Sequence, residues 1–365
     1  MKKIIVSAVN FTEGGPLSIL KDCLEFLSLS LSGEYEVIAL VNDERLFSYK
    51  NIRYISFPNS KKSWANRLYY EYFYFNKLAK QLDPFLWISL HDITPNVKAE
   101  RLAVYCHNPA PFYKMSFREI WLDPKFMVFN LFYKYLYSIN IQKNNFVIVQ
   151  QEWLRREFVK LFNVKNVIVA HPGAGERRIA KNDREESKGN DRCVFFYPAF
   201  PRVFKNFEII CEALKLLLKE GEGKFEVILT LSGHENRYAR YISQLSKDIE
   251  QIKFVGAQEK HQVYEFYRMA DCVIFPSKIE TWGLPITEAK LFGKDLLLAD
   301  FEYAHETLGA YDKVLFFDAH DPATLAEAMK SVIYKTVSFQ RTADPLIPDP
   351  FTQSWKDLFN ILLTK

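Results

Sequence analysis

An α/β fold in two doubly wound domains is predicted, on three observations. Apolar runs of strand length alternate with stretches of helical period. The runs fall into two series separated by one polar, aperiodic segment. The chain, at 365 residues, also exceeds what a single hydrophobic core usually organises.

In the first series, residues 4–9, 36–41, 52–57, 86–90, 102–105 and 146–149 read as strands, with amphipathic segments between several of them. That alternation is the pattern of a parallel sheet covered by helices. Residues 175–192 are rich in Arg, Lys, Asp and Glu, lack apolar periodicity, and place the domain boundary near their start. In the second series the strands are 194–197, 225–231, 252–255, 272–275, 296–298 and 314–317, with helices at 207–219, 238–249 and 262–270. Pro345, Pro348 and Pro350 then lead into a last helix, 351–365, whose Trp355, Leu358, Phe359 and Leu362 share one face. The expected division is therefore a first domain 1–172, a second 173–345 and a terminal segment 346–365. No internal repeat of 20–50 residues accompanies it.

Composition bounds the class. With 48% hydrophobic and 25% charged residues the chain has ample core for a soluble globular protein. Its five cysteines are scattered without a Cys-x-x-Cys pair, so they read as reduced and buried rather than as a disulfide framework or zinc site. The apolar run 4–9 is too short for a signal segment, and no apolar stretch reaches membrane-spanning length. A cytoplasmic location is expected. Charge is uneven: residues 1–170 carry 22 Lys+Arg against 15 Asp+Glu, whereas the whole chain is only +4. The excess in the first half fits an anionic partner or membrane surface, and equally ordinary scatter. Two segments, 63–80 and 125–137, interleave aromatics with Lys and Arg. Such stripes face a core more often than a lipid interface, and both readings stand. No groove-reading motif points to nucleic acid.

The chemistry-bearing groups should follow strands, where ligand crevices of such sheets lie. After the strand 272–275 comes P-S-K-I-E-T-W-G-L-P-I-T-E-A, with Glu280 on a turn and Glu288 in the first turns of a helix. The amides at Gly283 and Leu284 suit phosphate or hydroxyl oxygens, and the carboxylates suit polyol hydroxyls. Gly14 and Gly15 follow the first strand, allowing backbone approach to a phosphate, but the dinucleotide fingerprint is incomplete. Arg202 and Lys205, three apart between a strand and a helix, form a suitable diphosphate clamp. His91 and His107 each follow a first-domain strand, and Gly233 with His234 follows a second-domain strand. There is no Asp-x-Asp pair to hold a divalent ion, no Walker A loop, no nucleophile elbow and no zinc motif.

The string from residue 271 to 293, with Arg202 and Lys205, resembles the donor-site signature of the retaining glycosyltransferases of family 4. The resemblance is strong from about Arg192 to Ala319 and looser over 1–170. It implies a GT-B architecture: two Rossmann-like domains facing across a cleft, with the C-terminal helix crossing back to the first. It also implies transfer of a sugar from a UDP- or GDP-type nucleotide donor to an acceptor hydroxyl with retained configuration. The missing Asp-x-Asp pair agrees with a site that needs no metal or other cofactor, and the basic, aromatic first half points to a glycan or lipid-linked acceptor. In that picture Glu288 holds the ribose, Glu280 with the Gly283 and Leu284 amides holds the sugar, and Arg202 and Lys205 receive the departing diphosphate. His107 reaches the sugar from the first domain, where His91 could position the acceptor. Gly14, Gly15 and Gly233 line the donor, and the base lies against the backbone near Val255-Gly256. Trp282 stands where the family usually has Phe, and Thr281 where Gly is common, which changes the pocket's shape. A nucleotide-sugar epimerase of the same architecture and a non-catalytic nucleotide-sugar binder are the alternatives. A peripheral contact with an anionic membrane completes the expectation.

Overall fold

The computed structural model describes residues 1–172 and 192–364; apart from Arg192, the expected boundary segment 175–192 lies outside them. The elements run β1 (Lys2–Ala8), α1 (Gly14–Ser30), β2 (Tyr35–Val41), β3 (Ile52–Ser56), α2 (Trp64–Tyr69), a π-helical turn (Tyr70–Tyr74), α3 (Phe75–Leu82), β4 (Leu86–Ser89), β5 (Arg101–Cys106), α4 (Phe117–Leu122), α5 (Pro124–Ser138), β6 (Phe146–Val149), α6 (Glu152–Phe162) and β7 (Val167–Ala170). They continue with β8 (Cys193–Tyr197), α7 (Phe207–Lys219), β9 (Phe225–Leu229), α8 (Arg237–Leu245), β10 (Ile252–Phe254), α9 (Lys260–Met269), β11 (Cys272–Phe275), α10 (Leu284–Leu291), β12 (Asp295–Ala299), α11 (Glu302–Leu308), β13 (Val314–Phe317), α12 (Pro322–Ile333), β14 (Phe351–Thr352) and α13 (Trp355–Thr364).

Two compact units result, each built on one sheet. The first comprises residues 1–112, 130–177 and 347–365. Its eight strands lie in the order β14-β7-β6-β5-β4-β1-β2-β3, all pairs parallel. Ile4, Ile5 and Val6 of the central β1 are fully buried, as a strand covered on both faces requires. On one face Leu20, Leu24 and Leu27 of α1 pack with Leu358, Phe359 and Leu362 of α13, and Phe26 stacks on Phe359 at 5.7 Å. Full burial of each such side chain is worth about 2 kcal/mol. The terminal helix thus returns to the first unit, as expected. It starts at Trp355 rather than 351 because Phe351 and Thr352 pair with Val169 and Ala170 as an edge strand, and the Ser354 hydroxyl caps it by accepting from the Asp357 amide at 3.1 Å. The short, unanticipated β7 supplies that partner.

The second unit comprises residues 113–129 and 178–346. Its six strands run β10-β9-β8-β11-β12-β13, again all parallel. A linear division of the chain did not foresee that α4 and the start of α5 group with this unit. Helix α8 ends at Leu245, four residues before the expected end, where Ser246 folds its hydroxyl back on the Ile242 carbonyl at 2.9 Å.

Both sheets reverse direction of winding at one point: between β1 and β4 in the first unit, and between β8 and β11 in the second. Loops leaving the carboxyl ends of such neighbours diverge and open a crevice. The residues singled out from the sequence fall largely on those loops.

Candidate functional site

In the second unit the β8–β11 switch brings together three of the expected residues. Register pairs Phe195 with Cys272 and Phe196 with Val273, so the loops that leave the two strands start side by side. The first loop closes as a 3₁₀ turn, Val203–Lys205, and the second carries Lys278 to Gly283. They are pinned together: the Lys278 amide donates to the Phe204 carbonyl at 2.7 Å, and the Tyr197 hydroxyl donates to the Lys205 carbonyl at 3.0 Å while sharing a hydrogen bond with Ser277. The Lys205 ammonium pairs with the Glu280 carboxylate, and lies 5.4 and 5.7 Å from the ring centres of Phe204 and Phe275. These rings add attraction for the cation while drying its surroundings.

Arg202 caps the same turn and is more exposed. Its Nη1 stands 3.3 Å from Asp123 Oδ2, a carboxylate on the segment joining α4 to α5. That segment makes a second ion pair: Glu119 accepts from Lys278 at 3.0 Å, from Tyr113 Oη at 2.5 Å and from the Ser116 amide at 2.7 Å, the last completing a capping box at the start of α4. Burial raises the Glu119 pKa, but these hydrogen bonds and the Lys278 charge outweigh it and hold the carboxyl below its ordinary value. Lys278 also reaches Glu208 at 3.4 Å. Neither Asp123 nor Lys278 was singled out from the sequence. Ion-pair partners distant in the chain leave no local signal there.

Gly283 begins α10 at φ +80°, where a Cβ would sit 3.3 Å from Ile286 Cδ1 and 3.4 Å from the Phe275 ring, and Pro285 follows at the helix start. Leu284 is the first residue of α10. Glu288, one turn further, accepts from the buried Tyr267 hydroxyl at 3.2 Å. The glycine loop after β9 is also built tightly. Gly233 has φ +87°, a Cβ there would meet Ser243 Cβ at 2.9 Å, and the amides of Ser232 and Gly233 donate to Glu235 at 2.5 and 3.1 Å. His234 is exposed, and Gly256, two residues after β10, adopts φ +70°.

In the first unit the β1–β4 switch holds a second cluster. Gly14 opens α1 at φ +68°, followed by Gly15, and Glu13 leaves the helix without a side-chain cap. After β4, Asp92 adopts φ +71° and gathers three donors: the His107 amide at 2.5 Å, the Tyr137 hydroxyl at 2.9 Å and the Tyr133 hydroxyl at 3.4 Å. The His107 ring lies 4.2 Å from Tyr105 and 5.9 Å from Phe11, centre to centre. Burial pushes its imidazole pKa down, against the opposing pull of Asp92 and the Leu90 carbonyl. His91 takes a different part from the acceptor contact expected of it. It is fully buried, with Nε2 2.6 Å from Glu71 on the π-helical turn, and its carbonyl accepts from buried Arg67 at 2.6 Å. The ring is closed off from the surface, with Nδ1 buried and without a hydrogen-bond partner. All five cysteines are free thiols. Among the described residues no group of three or more His, Cys, Asp or Glu side chains could hold a metal, and no helix is long and apolar enough to cross a membrane.

Residues 178–341, most of the second unit, match the model of the family "Glycosyl transferases group 1". Over 182 residues, 46% of this chain, the sequence is 22% identical to a D-inositol 3-phosphate glycosyltransferase from Catenulispora acidiphila. The match spans 44% of that relative, less than half its length. Sucrose-phosphate synthase from Thermosynechococcus elongatus superposes with a TM-score of 0.65 at 13% identity, over 92% of this chain and 90% of that one. The Anabaena protein HepE, in complex with UDP-glucose, does so with a TM-score of 0.59 at 15% identity, over 92% and 91%. At these identities the likeness establishes the GT-B fold of two Rossmann-like units.

Proposed function

We propose, from the match of residues 178–341 to the model of glycosyl transferases group 1, that this protein is a metal-independent retaining glycosyltransferase. The observation that carries the reading is the β8–β11 switch, where Arg202, Lys205 and Glu280 stand on two loops pinned to each other. A nucleotide diphosphate sugar supplies what those groups suit. Its diphosphate meets the two cations, its sugar hydroxyls meet Glu280 and the Gly283 and Leu284 amides, and its ribose meets Glu288. Gly233, in the same unit, lines the same donor.

In the reaction the bond from the anomeric carbon to the diphosphate breaks, the acceptor oxygen bonds to that carbon on the same face, and the acceptor proton passes to a diphosphate oxygen. Arg202 and Lys205 stabilise the charge that develops on the leaving group, the term expected to dominate. UDP-glucose bound to the structurally similar HepE supports a UDP-type donor. The acceptor is a growing polysaccharide or lipid-linked oligosaccharide at the cytoplasmic face of a membrane.

A panel of UDP- and GDP-sugars, scored first by thermal stabilisation and then by product analysis with a glycan acceptor, tests this. The expected product keeps the donor's anomeric configuration. An epimerised free nucleotide sugar formed without acceptor would overturn the transferase reading.

A further inference from the structure

The aromatic segments that the sequence left between core and interface turn out to carry both kinds of face. On the run from α2 to α3, Phe75, Ala79 and Leu82 point into the core, whereas Tyr69 and Phe73 are 56% and 70% exposed. On α5, Tyr133, Leu136 and Tyr137 are buried, whereas Leu131 and Tyr135 are 56% and 70% exposed. In each case the outward pair is spaced i, i+4, which lines it along one side of its helix. Tyr69 and Phe73 stack at 6.3 Å, and Ile139 extends the α5 line by another turn. Trp64 joins the two helices, its ring set edge-on to Phe132 at 4.9 Å. Solvated helix faces need no such side chains, and exposed apolar groups gathered on neighbouring helices in this way mark an interaction surface.

Charge decides which partner fits. Between residues 61 and 82 the only carboxylate is Glu71, and it is fully buried against His91. Between residues 124 and 151 there is no Asp or Glu at all. Lys77, Lys80 and Lys134 are exposed, so the charge these two faces present outward is positive. A second copy of the same face would set lysine against lysine. An anionic bilayer instead accepts the aromatic and aliphatic groups at headgroup depth and attracts the ammonium groups.

We propose that the first unit docks on an anionic lipid surface through the outward faces of the α2–α3 run and α5, lying in the interface plane. The surface is independent of the donor chemistry assigned above, and the two can fail separately.

The test is flotation of the full chain with phosphatidylcholine vesicles, with and without phosphatidylglycerol, alongside UDP-induced thermal stabilisation. Flotation is expected only with phosphatidylglycerol, and is expected to weaken as salt rises. The double variant F73S/Y135S, and separately K77E/K134E, should each lower vesicle partitioning by more than about tenfold. Both should leave the melting temperature and the UDP shift unchanged. Absence of flotation, equal binding to neutral vesicles, or unchanged binding by both variants overturns the proposal. So does loss of a dimer in sedimentation when F73S/Y135S is made, since that would show the patch to be covered by a second copy.

Discussion

Lys205 and Glu280 form an ion pair across the reversal point of the second sheet, each contributed by a loop that leaves one of two hydrogen-bonded strands. Both side chains are more than four-fifths covered, so their charges are weakly screened and depend on each other. An anionic group that approached Lys205 would have to share that cation with Glu280.

Replacement of Arg202 or Lys205 by Ala should therefore lower the single-turnover rate of sugar transfer by about 100-fold or more. Lys205→Ala should also lower the melting temperature by leaving Glu280 unpaired, whereas the more exposed Arg202→Ala should not. Equal transfer rates in the variants and the parent would show that the diphosphate is held elsewhere.

Asp123 occupies one side of the Arg202 guanidinium at 3.3 Å. Asp123→Asn releases that cation for another anion. Because the Arg202 side chain is 44% exposed, the gain should be small, about two- to fivefold in UDP affinity by calorimetry. Weaker UDP binding in Asp123→Asn would mean that the carboxylate orients Arg202 productively rather than competing for it.

Gly233 cannot carry a side chain without strain. At φ +87° its Cβ would stand 2.9 Å from Ser243 Cβ, so Gly233→Ala should cost about 1–3 kcal/mol. Chemical denaturation measures this. Adding Ser243→Gly should recover the steric part of the loss and leave the backbone part.

Glu119 titrates below its ordinary value, so its folded form favours the carboxylate. The stability it adds is fully present above the unfolded pKa of about 4.5 and is lost as pH falls through the depressed folded value. Unfolding free energy measured from neutral pH into this acid range should therefore fall more steeply for the parent than for Glu119→Gln. Parallel curves would show that the Lys278 and Tyr113 contacts add nothing.

Glu71 and His91 lie wholly inside the first unit. Removing one partner of a buried pair leaves the other uncompensated, so Glu71→Ala or His91→Ala should each cost about 3–5 kcal/mol. Because the pair exposes no atom to a ligand, UDP affinity should follow only the fraction of folded protein. A change in affinity without a loss of stability would return His91 to the binding site.

Much of this was legible along the chain. Runs such as Ile4 to Val9 and Cys272 to Phe275 are apolar on both faces because a central parallel strand is covered on both, and that periodicity survives without any knowledge of partners. Gly283, Pro285 and Glu288 were equally readable, since a left-handed residue, a helix-starting proline and a carboxylate one turn on are local requirements. The strand β7, an apolar run of the same length and kind as Cys272 to Phe275, carried the same signal and was passed over.

What the order of residues determined by itself was the class of each element and the loops on which chemistry could sit. What the tertiary structure alone decided was partnership. It turned His91 inward to Glu71, set Asp123 against Arg202 and Glu119 against Lys278, and split each aromatic segment into a buried face and an exposed one. Periodicity follows from contacts a few residues apart, whereas these choices depend on side chains 20 to 159 positions distant, and only packing brings those into range.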